Sequence, residues 1–175
     1  MLYFAYGSNM STRRIRQRVP SAQPLSVGVL DGHRLAFHKV GRDGSAKCDA
    51  LVSPTVGECL YGVVYRIDPA HRARLDAAEG LGNGYQCKTV ALRLADGTRA
   101  TAFTYYATHI DPSLRPYPWY KEHVLRGARE HGLPGPHIAE IAGIPTVDDH
   151  DPARQVLESA VYGPAEPSRR GAERE

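Results

Sequence analysis

The chain has 175 residues, 42% of them hydrophobic and 23% charged, with a formal net charge of +3. That size and balance suit one globular domain burying about 70% of its unfolded surface. The mild positive charge, with no broad basic face interleaved by aromatics, gives no footprint for nucleic acid, and nothing approaches the ~18 apolar residues of a membrane span.

The chain opens on an apolar, aromatic run, Leu2 to Tyr6, that reads as a short buried strand. It breaks at once into Gly7-Ser8-Asn9, a tight turn opening a helix over about Thr12 to Arg18, with Asn9 or Ser11 as its N-cap. Arg13, Arg14, Arg16 and Arg18 crowd that helix and read as a solvated face; Pro20 stops it. Leu25 to Val40 alternates loosely, with Val27, Val29, Leu35 and Phe37 apolar. It predicts one strand with an Asp31-Gly32 turn or bulge inside it, His33 and His38 reading as surface residues. Cys48 to Val52 and Cys59 to Ile67 predict two further strands. The second is nearly continuous in apolar residues, as a strand buried on both faces would be. Asp68-Pro69 starts the next helix as N-cap and first-turn proline, with Leu75 and Ala78 facing inward. Glu79-Gly80-Leu81-Gly82-Asn83-Gly84 ends it. Tyr85 to Leu94 and Thr98 to Thr108 form a hairpin about Ala95-Asp96-Gly97. A proline-rich loop (Pro112, Pro116, Pro118) then leads to a helix over about Trp119 to Glu130. Pro136 to Ile144 and Asp151 to Ala160 predict two short peripheral helices. Gly163 to Glu175 is charged, without periodic pattern, and reads as a disordered tail. With no internal repeat or composition break, the expectation is a single α+β domain over 1–162.

Three features carry chemistry. Amides at the Gly7-Ser8 turn form a plausible cradle for a carboxylate, since free N–H groups at a helix start attract anions. Glu79 sits at a helix C-terminus, where the dipole disfavours its charge; with partial burial, that placement suits a general base. A solvated surface glutamate is the plainer reading, and Asp76, three residues earlier on roughly the same face, is the rival carboxylate. Ten tyrosines against three phenylalanines supply hydroxyls at strand ends, among them Tyr6, Tyr85 and Tyr105. The other constellations fail: Ser8 lacks a nucleophile elbow, and the eight histidines never fall in a ligand spacing. Cys48, Cys59 and Cys87 are odd in number and widely spaced, which argues against disulfides and zinc alike. With no leader ahead of the first strand, a cytoplasmic location is expected.

Tyr3-Phe4-Ala5-Tyr6-Gly7-Ser8-Asn9 resembles the N-terminal signature of the γ-glutamylcyclotransferases. So does Leu75-Asp76-Ala77-Ala78-Glu79-Gly80 followed by Gly84-Tyr85, although the turn after Glu79 is one residue shorter than in the family's cytosolic animal members. Pro20-Ser21-Ala22, Gly62-Val63-Val64, Tyr120-Lys121, Gly127-Ala128-Arg129-Glu130 and Gly132-Leu133-Pro134 extend the similarity, in order, across residues 2 to 160. The resemblance implies a small mixed β-barrel flanked by helices and a reaction in which a γ-glutamyl compound releases 5-oxoproline and a free amine or amino acid. It implies no cofactor and no metal, a small-molecule γ-glutamyl substrate as partner, and admits a homodimer. By the same resemblance Glu79 is the general acid/base. Tyr3, Phe4, Ala5, Tyr6, Gly7, Ser8 and Asn9, with Tyr85 and Tyr105, hold the γ-glutamyl group. The loop reads Tyr-Gly-Ser-Asn rather than the Tyr-Gly-Ser-Leu of the glutathione-specific ChaC branch or the Tyr-Gly-Thr-Leu of the γ-glutamylamine branch, which favours γ-glutamyl amino acids. Two alternatives stand beside this: removal of a γ-glutamyl protecting group from a natural-product intermediate, and a non-catalytic domain that only binds γ-glutamyl ligands.

Overall fold

The computed structural model describes residues 1–163, so all but the first residue of the expected tail lies outside the described residues. Five strands close into a barrel in the order β1 (Leu2–Ala5), β5 (Cys59–Arg66), β2 (Gln23–Asp31), β6 (Tyr85–Leu94), β7 (Arg99–Ala107). Four of the pairings are antiparallel, with Phe4 opposite Val64, Gly28 opposite Gly62 and Leu94, and Val90 opposite Ala102. A parallel contact of Tyr3 with Phe103 closes the ring. So small a barrel has no lumen; inward side chains fill it. Phe4, Leu60, Val64 and Leu92 are all buried there, whereas Tyr65 is buried on the outer face, its hydroxyl donating to the Met10 carbonyl at 2.6 Å. β5 lies between β1 and β2, and over Gly62 to Tyr65 consecutive residues are buried, so that stretch is covered on both faces.

Leu25 to Val40 corrects the expectation of one strand. Gly32 adopts φ +68°, a left-handed conformation that a side chain resists, and the chain leaves the barrel there. The second half, β3 (His33–Val40), pairs with β4 (Ala46–Val52) in a separate two-stranded sheet, Leu35 opposite Ala50. His38 is therefore buried rather than on the surface, its Nε2 2.9 Å from an Asp49 carboxylate oxygen.

The helices are α1 (Thr12–Arg18), α2 (Arg72–Glu79), α3 (Pro118–Glu130), α4 (Gly135–Gly143) and α5 (Pro152–Ser159). A 3₁₀ turn over Ser8–Met10 joins β1 to α1, and Ser11 occupies the N-cap position without a side-chain cap bond. The Arg-rich face of α1 is not simply solvated. Arg14 is buried and donates to Glu158 of α5 at 2.5 Å. Gly127 allows α3 to press on that 3₁₀ turn: a Cβ there would come within 2.5 Å of the Ser11 amide nitrogen. The first turn of the chain is thus clamped from outside. α2 follows a short 3₁₀ turn capped by Asp68, whose side chain accepts from the Ala70 amide at 2.9 Å. Leu75 is fully buried, whereas Ala78 is exposed, against the expected inward face.

Candidate active site

Glu79 is the last residue of α2, and its position is fixed by how that helix stops. Gly80 follows at φ +70°; its amide reaches the Ala77 carbonyl at 3.2 Å, and the Leu81 amide reaches that of Asp76 at 2.9 Å. This paired closure needs a residue that tolerates left-handed backbone, which glycine supplies. The helix end points back to the first turn of the chain. Asn9 Nδ2 donates to Glu79 Oε1 at 2.6 Å and to the Tyr3 hydroxyl oxygen at 3.2 Å. Arg18 Nη1, from the end of α1, donates to the same Oε1 at 3.1 Å and to Asn9 Oδ1 at 2.9 Å. The Glu79 side chain is 15% exposed. Among the described residues its Oε2 makes no hydrogen bond.

Around the carboxylate lies a hollow of about 30 Å³ lined by Tyr3, Tyr6, Gly7, Ser8, Asn9, Cys48, Glu79, Tyr85, Tyr105 and Tyr120. Seven of the sequence-nominated binding residues therefore meet here with Glu79. Phe4 and Ala5 do not line it: the Phe4 ring packs inside the barrel against the backbone at Gly28 and Gly62, and Ala5 presents its carbonyl to Gly62. Strand alternation sends neighbours of a site residue into the core, which a contiguous motif conceals.

The tyrosines differ in what their hydroxyls are free to do. Tyr6 donates to the Tyr105 carbonyl at 2.6 Å, and Tyr85 to the Cys48 carbonyl at 2.5 Å. Tyr105 donates to Asp76 Oδ1 at 2.5 Å, and Arg72 donates to the same oxygen at 2.8 Å. Asp76, the rival carboxylate, is thus engaged as a support for Tyr105 and does not line the hollow. Tyr3 and Tyr120 instead accept, from Asn9 and from the Cys48 amide, which leaves their O–H groups to point at a ligand. Burial holds Tyr3, Tyr6, Tyr85 and Tyr120 well above the ordinary phenol range, so they are neutral donors at physiological pH. Burial also pushes the Cys48 thiol up to about 12, which removes it as a thiolate nucleophile.

Two further features complete the geometry. Among the described residues, the amides of Gly7, Ser8 and Asn9 make no hydrogen bond. A Cβ on Gly7 would lie 3.0 Å from Cys48 Cβ, so the bare backbone is what leaves room at that point. Beyond Glu79, Ser8, Tyr85 and Tyr120 the hollow passes into an outer basin of about 310 Å³. Arg18, Cys48 and Tyr120 escaped the sequence-level selection of site residues. An arginine on an Arg-rich helix carries no local mark of facing inward, and Tyr120 stood out only as part of a family block.

A family model described as AIG2-like family matches residues 59–141. The γ-glutamylcyclotransferase of Bos taurus is 35% identical over 137 residues, spanning 76% of this chain and 72% of the bovine one. That of Homo sapiens is 34% identical over the same shares. A solved structure described as a γ-glutamyl cyclotransferase superposes with a TM-score of 0.82 at 29% identity, covering 91% of this chain and 96% of that one. The architecture is accordingly that of the γ-glutamyl cyclotransferase on which it superposes. With these relatives matched over most of their length, the chain belongs to the γ-glutamylcyclotransferase family of enzymes. No helix among the described residues is long and apolar enough to cross a membrane.

Proposed function

We propose that the protein converts a γ-glutamyl amino acid to 5-oxoproline and the free amino acid, with Glu79 as general acid/base. The substrate's α-amine attacks its own γ-carbonyl; a C–N bond forms to close the five-membered lactam, and the γ-amide C–N bond breaks. Because the nucleophile is tethered, good orientation supplies ~7–11 kcal/mol of the barrier without an enzyme nucleophile. The amine arrives protonated and needs a base. Glu79 Oε2, the oxygen without a hydrogen-bond partner among the described residues, takes that proton and returns it to the departing nitrogen, a shuttle worth ~10²–10⁴-fold. Arg18 and Asn9 on Oε1 hold the carboxylate in one orientation. The amides of Gly7 and Ser8 serve either the α-carboxylate or the developing oxyanion, where a single donor matters ~10²–10³-fold. Tyr3 and Tyr120 supply neutral O–H donors. The hollow holds roughly one water, so a γ-glutamyl group enters by opening it toward the outer basin.

One observation carries this reading: a nearly buried carboxylate with a free oxygen, 2.6 Å from the residue that follows the Gly7-Ser8 turn. The test is incubation with γ-glutamylalanine and mass spectrometry of the products. Equimolar 5-oxoproline and alanine are expected. Glutamate in place of 5-oxoproline would mean hydrolysis, and binding without product would mean a non-catalytic domain.

A further inference from the structure

The outer basin beside Glu79 is lined by five cationic side chains, Arg14, Arg18, Lys39, Arg42 and Lys47, and three carboxylates, Asp43, Glu79 and Glu158. Each carboxylate is matched: Glu158 by Arg14 at 2.5 Å, Glu79 by Arg18 at 3.1 Å, Asp43 by Lys47 at 2.7 Å. Two cations remain. Among the described residues, no carboxylate oxygen lies within 4.0 Å of Lys39 or Arg42.

Lys39 is the unusual one. It is only 6% exposed, and its Nζ sits 4.7 Å above the centre of the Tyr85 ring. The bare backbone at Gly84 makes space for it, since a Cβ there would come 3.0 Å from Lys39 Cε. Glu79 and Asp43 act on this ammonium only from beyond contact distance, so its desolvation is costly, and a bound anion relieves that cost. Arg42 is exposed and lies over the end of α2; the position a Cβ on Gly80 would take is 3.6 Å from its Nη2. Both therefore face the space into which a group leaving from Glu79 must move.

We propose that Lys39 and Arg42 form an anion subsite for the leaving amino acid, and that two such cations select a leaving group with two carboxylates. The preferred substrate is then the γ-glutamyl conjugate of a dicarboxylic amino acid, one carboxylate on each cation. This rests on the cyclotransferase reading above and adds the identity of the leaving group to it. An amine lacking any carboxylate would leave both cations without a partner.

The discriminating comparison is γ-glutamylglutamate against γ-glutamylglutamine, which have nearly the same shape but differ by one charge. The wild-type protein should show kcat/KM about tenfold higher for the glutamate conjugate, the effect of one hydrogen-bonded charge, with the difference in KM. Of Arg42→Gln and Lys39→Met, the one that removes the partner of the side-chain carboxylate should bring the ratio of the two substrates toward one, and the other should lower kcat/KM for both conjugates alike. Arg42 is exposed, so Arg42→Gln remains informative if Lys39→Met fails to fold. Equal kcat/KM for the two conjugates in the wild type, or an Arg42→Gln variant with kcat/KM for both conjugates unchanged, would overturn the subsite. Absence of 5-oxoproline from either conjugate and from γ-glutamylalanine would instead overturn the underlying reaction.

Discussion

A carboxylate that moves protons must be held still, and at Glu79 that task falls on two side chains from the segment after β1. Asn9 bridges Tyr3, Glu79 and Arg18, so one amide group fixes a phenol, the carboxylate and a guanidinium together. The position also marks the chain's departure from the Tyr-Gly-Ser-Leu and Tyr-Gly-Thr-Leu loops, because leucine could make none of these bonds. Asn9→Leu should therefore lower kcat by about ten- to a hundredfold, the worth of a hydrogen bond to a charged group, with a smaller change in KM. Steady-state kinetics on γ-glutamylalanine would check this; kcat within twofold of wild type would mean that Asn9 does not orient the base. From its helix-end position a solvated surface residue was the plainer reading of Glu79, and the family resemblance is what singled it out. Arg18 was not legible, because inward and outward arginines on a seven-residue helix look alike until the packing partner is known.

At the scale of elements, α5 is fastened to the body by a buried polar cluster rather than by apolar packing. Glu158 meets Arg14 of α1 at 2.5 Å and His123 of α3 at 3.0 Å, while Val156 and Leu157 stay exposed. The His123 hydrogen bond, then the Arg14 charge, draws the Glu158 carboxyl from its ordinary 4.5 down to about 2. A depressed carboxyl contributes stability above its unfolded value and loses it as pH falls through the folded one. The docking of α5 is thus at full strength above about pH 4.5 and weakens toward pH 2. Denaturant midpoints at pH 5 and pH 3 would measure this: wild type should lose more stability between them than Glu158→Gln. Parallel losses would show that Glu158 contributes nothing to acid sensitivity. Element type and order were largely readable in the sequence, since hairpin, cap and proline signals are local. The division of Leu25–Val40 between two sheets was not, because alternation looks the same whichever sheet a strand joins.

For the whole molecule, the barrel's role is convergence. β1 delivers Tyr3, Tyr6 and the Gly7-Ser8 turn, α1 delivers Arg18, α2 ends on Glu79, β6 and β7 add Tyr85 and Tyr105, and α3 brings Tyr120. Residues of β1, β4, α2, β6, β7 and α3, separated by up to 117 residues from Tyr3 to Tyr120, line one hollow, and Arg18 of α1 reaches its carboxylate. Ordered family blocks made the overall architecture legible. The interlocking of these side chains was not, since hydrogen bonds between distant residues leave no trace in local pattern. Glu79→Gln isolates the central claim because it keeps the shape and the Oε1 acceptor while removing the ability to take a proton. The account predicts that this variant binds γ-glutamyl substrate with affinity within a few-fold of wild type, by calorimetry, while 5-oxoproline release falls by ~10²–10⁴-fold. Release at close to the wild-type rate, with binding intact, would contradict it.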